Sequence, residues 1–290
     1  MSVLPLPVPP APRARRGRSR ALRVPVSVVI SAAVVVLFVV AAVFPGLLAT
    51  HDPLKTDLYA TLQKPSGSHW LGTDDVGRDL FSRIVWGTRT SLLIGLGVMA
   101  LAMVVAVVMG LASGLGPSWV SGPVNRLLEV MLAFPTLLLA LLLVALLGPS
   151  AESLIVSVGV STAPGYARLI RAQTISVKRS GYVEAARALG HTTRTVVRQH
   201  VIPNAFRPLV ALIALGIGTS VVWASGLSFL GLGVAPPSSE WGLLLNAGKT
   251  QITVAWWLEI FPGLAIVLVT LSFTLIGRYI QAVVEGDHVS

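Results

Sequence analysis

Several groups of residues in the 290-residue sequence have types and spacings that invite a chemical reading. Asp74, Asp75 and Asp79 suggest calcium, but an EF-hand loop alternates its oxygen ligands and needs a Glu at its twelfth position, which falls near Val85 or Trp86. Gly248-Lys249-Thr250 imitates the end of a phosphate-binding loop, which would make the chain its own ATPase. The first Gly of that pattern must lie five residues before Gly248, where Leu243 stands, and no strand precedes it. His51, His69, His191, His200 and His288 are scattered along the chain, so a metal cluster is not expected. With no cysteines, disulfides, thiolate metal sites and a Cys nucleophile are excluded together. Glu129 and Glu259 lie near apolar spans but at their ends, and no series of buried carboxylates suggests a proton relay. These observations leave no catalytic residue, cofactor site or metal site assigned to the chain.

The elements that position these residues belong in lipid. Hydrophobic residues make up 54% of the chain and charged residues 12%, against about 25% charged in soluble domains. Crossing a hydrocarbon layer of about 30 Å takes about 20 apolar residues, and six runs qualify: Val26 to Leu48, Ser91 to Leu111, Val130 to Leu147, Leu154 to Ile170, Pro208 to Leu230 and Trp257 to Ile280. The fourth is the least apolar, carrying Ser157, Ser161, Thr162, Pro164 and Gly165. The net charge of +10 could indicate nucleic acid. Its distribution argues for a membrane orientation signal instead, because the basic residues flank the apolar spans. With the amino end inside, inner segments hold 16 Lys and Arg (six from Arg13 to Arg23, Arg126, eight from Arg168 to Arg207, and Arg278) and outer segments hold 6. Both termini are therefore expected in the cytoplasm, with Trp256 and Trp257 at the outer interface.

The expected organisation is a basic cytoplasmic tail at 1–25, a first transmembrane helix at 26–48 and an extracytoplasmic segment at 49–90. A core of five further helices follows at 91–281, containing an inner loop at 178–204, and then a cytoplasmic tail at 282–290. In the outer segment, Asp74 or Asp75 can cap an amphipathic helix with Leu80, Phe81, Ile84 and Val85 on one face, leaving Arg78 and Asp79 for local ion pairs. Asp74, Gly77, Arg78 and Asp79 are open to a structural role or to contact with an external protein.

The inner loop is the most informative segment. Ser180 can cap a short helix, and Glu184 suits its positive end. Gly190 supplies a left-handed stop. Val196, Val197, His200 and Val201 form one side of a second helix, which Pro203 ends. Ala185, Ala186 and Ala188 leave the elbow nearly bare, open to close approach by another protein's groove or to plain solvation.

Glu184-Ala185-Ala186-Arg187, Gly190 and His200-Val201-Ile202-Pro203 resemble the EAA loop of binding-protein-dependent ABC importers, with Ile202 where a Leu is usual. The block Leu71-Gly-Thr-Asp-Asp-Val-Gly77-Arg78-Asp79-Leu-Phe-Ser82-Arg83, with Gly87, Arg89 and Ser91, is similar to the C-type permease subunits for dipeptides, oligopeptides and nickel. Ala133-Phe134-Pro135, Gly165-Tyr166-Ala167-Arg168, Leu227 to Gly233, Trp241-Gly242 and Phe261-Pro262-Gly263 agree, and the likeness runs from Val26 to Gly286. The resemblance implies an all-α, polytopic type I ABC importer permease in a bacterial inner membrane. Its Glu184 to Gly190 elbow would couple to ABC ATPase subunits, which would bind ATP and Mg. A B-type permease would complete a heterodimer, and an extracytoplasmic substrate-binding protein would deliver dipeptides or short oligopeptides. Nickel, glutathione-like peptides or haem are the alternatives within the family. A secondary transporter or channel with no ATPase would account for the spans and the charge asymmetry, but not for the elbow.

Overall fold

The structure is a computed structural model that describes residues 24–207 and 209–285. The basic tail up to Arg23, the start of the fifth run at Pro208 and the end of the carboxyl-terminal tail lie outside the described residues. Among the described residues the chain is helical, with only an isolated antiparallel bridge between Thr73 and Asp79. Helix α1 (Val26–Val43) and the short α2 (Pro45–Leu48) lead into an irregular segment. Then come α3 (Leu80–Leu115), α4 (Ser118–Ala133), α5 (Thr136–Leu147) and α6 (Ala151–Lys178). The inner loop forms α7 (Gly181–Ala188), α8 (Thr193–Val196) and α9 (Ile202–Phe206), and the chain finishes with α10 (Leu209–Leu227), α11 (Trp241–Gly248) and α12 (Trp257–Glu285).

Among the described residues, four helices are long and apolar enough to cross a membrane: α1, α3, α10 with its continuation to Leu232, and α12. The third expected span is not one straight helix. Phe134 and Pro135 separate α4 from α5, and the two axes differ by 95°, so they count as one broken span at most. Pro135 explains the break, since it lacks an N–H and holds the residue before it away from helical geometry. Helix α6 has 28 residues, about 42 Å at 1.5 Å per residue, but its Ser, Thr, Pro and Gly keep it below the apolarity of the other spans. The fourth expected crossing therefore rests on how α6 packs, not on how apolar it is.

That packing is close. Along α3 and α6 the contacts Gly97 with Ile155, Leu101 with Gly159, Gly110 with Ile170 and Gly114 with Thr174 ascend together, so the two helices run parallel. A Cβ on Gly110 would lie 2.8 Å from the Ile170 side chain, which is why small residues are needed where membrane helices meet. In contrast, α10 and α12 pair antiparallel, through Gly218 with Thr270 and Leu215 with Gly277. Helix α1 packs on α12 and α3.

The amphipathic outer helix and the second span, expected as separate elements, are one 36-residue helix, α3. Its cap is Asp79, which accepts from the Ser82 N–H, and not Asp74 or Asp75. Trp257, expected at the lipid interface, is instead 1% exposed in the core formed with Leu80, Trp241 and Val269, while Trp256 is exposed.

Candidate functional site

At the carboxyl-terminal ends of α3 and α6 sits the elbow. Val183 and Ala186 of α7 pack with Val196 and Val201 against Leu115 at the end of α3 and Val177 near the end of α6. The two parallel helices therefore converge on one small apolar contact, and a displacement of α7 has a direct path into both. Ala186 thus points inward, correcting the expectation that all three alanines form the bare surface. The outward side carries Glu184, Ala185, Arg187 and Ala188. It also carries Tyr182 and Leu189, the latter 79% exposed. Leu189 and Tyr182 went unremarked in the sequence because an apolar residue beside a helix stop reads equally well as core.

Gly190 adopts φ +83°, the left-handed conformation expected of the stop, and nothing lies near its missing Cβ. Two local expectations fail. The Ser180 hydroxyl donates to the Val177 carbonyl at 2.6 Å instead of capping α7, because it closes the end of α6 first. Pro203 does not end the second helix. It lies in α9 directly after a π-helical stretch at Val197–Val201, and helical backbone continues from Thr193 through that stretch to Phe206.

At the opposite end of α3, about 54 Å away along a 36-residue helix, the sequence-nominated acidic residues form two buried networks. Asp74 accepts from the backbone N–H groups of Val76 and Arg78, from Arg78 Nε at 2.7 Å and from Arg83 Nη1. Arg83, 3% exposed, also donates to the Ser238 carbonyl at 2.9 Å and so ties this segment to the loop before α11. Gly77 makes the turn between them at φ +77°, and a Cβ there would strike the Asp57 backbone. Asp75 is exposed.

Asp79 forms the second network. Burial works to raise its pKa, but donation from the Ser82 N–H and hydroxyl, the hydrogen bond with His69 and the nearby His51 outweigh it and hold the carboxyl below its ordinary range. His69 Nδ1 lies 2.9 Å from Asp79 Oδ1, and His51 Nδ1 lies 3.7 Å from Oδ2. The histidines that look scattered in sequence are therefore partly gathered, with the rings of His51 and His69 centred 4.8 Å apart.

A residue missed in the sequence is Glu240. Its carboxylate is 1% exposed and caps α11, accepting from the N–H groups of Gly242 and Leu243 and from the hydroxyls of Ser225 and Ser228. Its position directly before Trp241-Gly242 was the available signal. Of the two glutamates singled out earlier, Glu129 makes an exposed ion pair with Arg126, and Glu259 keeps one buried carboxylate oxygen without a partner.

Apolar membrane-length helices, with a small packed elbow at one end and a polar module at the other, define a polytopic membrane protein. The chain belongs to the family of binding-protein-dependent transport system inner membrane components, whose description matches residues 106–287. It is 36% identical over 249 residues to the dipeptide transport system permease protein DppC of Alkalihalophilus pseudofirmus, covering 86% of this chain and 82% of that one. To the probable D,D-dipeptide transport system permease protein DdpC of Escherichia coli K12 it is 38% identical, covering 89% and 86%. To the glutathione transport system permease protein GsiD of Pectobacterium atrosepticum it is 37% identical, covering 86% and 84%. The fold is shared with solved ABC transporters: an amino acid transporter crystallised with histidines (TM-score 0.58, 16% identity, 69% of this chain and 92% of that one) and the inward-facing MetNI methionine transporter (TM-score 0.57, 18% identity, 69% and 95%). The chain is a permease subunit of an ABC importer.

Proposed function

We propose that this subunit forms half of the translocation path for dipeptides or short oligopeptides, with a B-type permease as the other half. Its relatives' names support this substrate class, and the glutathione permease among them is itself named for a peptide. An extracytoplasmic binding protein delivers the substrate to the end bearing Asp74, Gly77, Arg78 and Asp79. ATPase subunits, which bind ATP and Mg, engage the elbow at the other end. The protein resides in a bacterial inner membrane with both termini in the cytoplasm, the arrangement its Lys and Arg distribution favours.

The observation that carries the coupling role is the division of α7 into two faces. Val183 and Ala186 are locked against the ends of α3 and α6, while Glu184, Ala185, Arg187 and Leu189 are presented outward. A force applied to the outer face is thereby delivered as a largely rigid-body movement to two long helices. Exchanging Glu184→Lys and Leu189→Asp tests this, because both side chains are exposed on the outward face. Peptide uptake by cells dependent on this chain should fall at least tenfold while its membrane abundance is unchanged. Uptake at the wild-type rate in both variants would refute the coupling role.

A further inference from the structure

His51, His69 and Asp79 come from three separate stretches of chain: the segment after α2, the irregular loop, and the cap of α3. Their ligand atoms all lie within 4.8 Å of one another. Two atoms can touch one ion at about 2.1 Å only if they are within about 4.2 Å. The His69–Asp79 and His51–Asp79 pairs, at 2.9 and 3.7 Å, already satisfy this. The remaining adjustment falls on the His51 side chain, which is 40% exposed and would exchange its 3.0 Å hydrogen bond with the Thr50 hydroxyl for the ion.

The surroundings suit an ion as well as the three ligands do. Asp79 is buried, and its Oδ2 is fixed by the Ser82 N–H at 2.9 Å and the Ser82 hydroxyl at 2.7 Å, the kind of outer support that orients a metal-binding carboxylate. Ser82 Oγ also accepts from the His51 backbone N–H at 2.9 Å, so one hydroxyl sets the position of two of the three residues. Two imidazoles and one carboxylate are a borderline donor set that selects zinc-like transition ions. Calcium, which takes six or more oxygens, does not fit.

We propose that His51, His69 and Asp79 form a binding site for a divalent transition metal ion of the zinc class on the outer module. With three protein ligands, the ion keeps a position open for water or an outside donor. His51 also lines a cavity of about 700 Å³ with Thr50, Trp86 and Ser238. The ion would clamp the segment that follows α1 and α2 to the start of α3, stiffening the module around that cavity. This site does not depend on the transported substrate or on the ATPase coupling.

The test uses the full-length chain purified in detergent through a histidine-free tag, with zinc chloride as probe and bound metal measured by mass spectrometry after equilibrium dialysis. The wild type should hold one zinc ion per chain, and cobalt in its place should give the visible absorption of a low-coordinate N/O site. His51→Ala, at an exposed position, should weaken zinc binding at least tenfold without changing the melting temperature measured in a chelator. His69→Ala should do the same to binding. Zinc affinity unchanged in both variants, or no stoichiometric zinc on the wild type, would overturn the proposal.

Discussion

Removing the Glu240 carboxylate should weaken the packing of α10 and α11 more than an ordinary helix-cap mutation does. In Glu240→Ala, α11 loses its cap, which costs about 0.5–2 kcal/mol. The hydroxyls of Ser225 and Ser228 lose their acceptor inside the protein, at about 1–3 kcal/mol for each buried group left unpaired. Both serines lie on helical backbone and can turn toward carbonyls of the preceding turn, so the lower end applies to them. The total is about 2.5–4 kcal/mol, which for a chain of this length corresponds to a fall in melting temperature of about 5–10 °C. Each carboxylate oxygen accepts one N–H and one hydroxyl, Oε1 from Gly242 and Ser225 and Oε2 from Leu243 and Ser228, so Glu240→Gln keeps one of these pairs and sets a donor against the N–H of the other, and should lose about half as much. Thermal unfolding of the purified subunit in detergent, followed by intrinsic fluorescence of its tryptophans, reads both. A melting temperature for Glu240→Ala within about 1 °C of wild type would refute this account of the carboxylate.

Gly87→Ala should be among the most damaging single-methyl changes in the chain, since its Cβ would fall 1.9 Å from the Ser239 carbonyl, which is backbone and cannot swing away. Overpacking of this kind costs about 1–3 kcal/mol or more, whereas Gly122→Ala, with nothing within 4 Å, should leave the melting temperature unchanged or raised. At Gly190 the obstacle is φ and not space, so Gly190→Ala should cost about 1–2 kcal/mol in the elbow and Gly190→Asn distinctly less. Amide hydrogen exchange across Ser180 to His200 measures that difference, and equal protection in both variants would count against it. On the inner face of α7, Ala186→Asp should reduce membrane abundance severalfold by placing a charge in the apolar contact, while Ala185→Asp should not. Immunoblotting of membrane fractions separates the two, and equal abundance would mean that the faces are misassigned.

The long apolar runs at α1, α3, α10 and α12 were legible in the sequence because composition alone places them in lipid. Helix α6 was legible only as a length, since its Ser, Thr and Gly residues serve close contact with α3, a property that apolarity does not measure. The break at Phe134-Pro135 was present in the sequence, but nothing local states the angle at which the chain resumes. In the elbow, Gly190 could be located because a positive φ has a residue signature. The inward turn of Ala186 could not, because the face of an eight-residue helix that is buried depends on where Leu115 and Val177 end. The gathering of His51 with His69 is likewise a tertiary event. It joins residues 18 positions apart through an irregular segment with no periodicity to read.

The absence of cysteine from the sequence allows a direct test of the claim that the elbow receives force from an ATPase subunit. A single cysteine introduced by Ala185→Cys on the outward face of α7 can be cross-linked in the assembled transporter, with Ser238→Cys at the far end of α3 as the comparison. Position 185 should cross-link to the ATPase and be shielded from a membrane-impermeant thiol reagent applied to intact cells, while position 238 should never reach the ATPase. Labelling of position 185 from outside, or a cross-link to the ATPase from position 238 in its place, would contradict the claim.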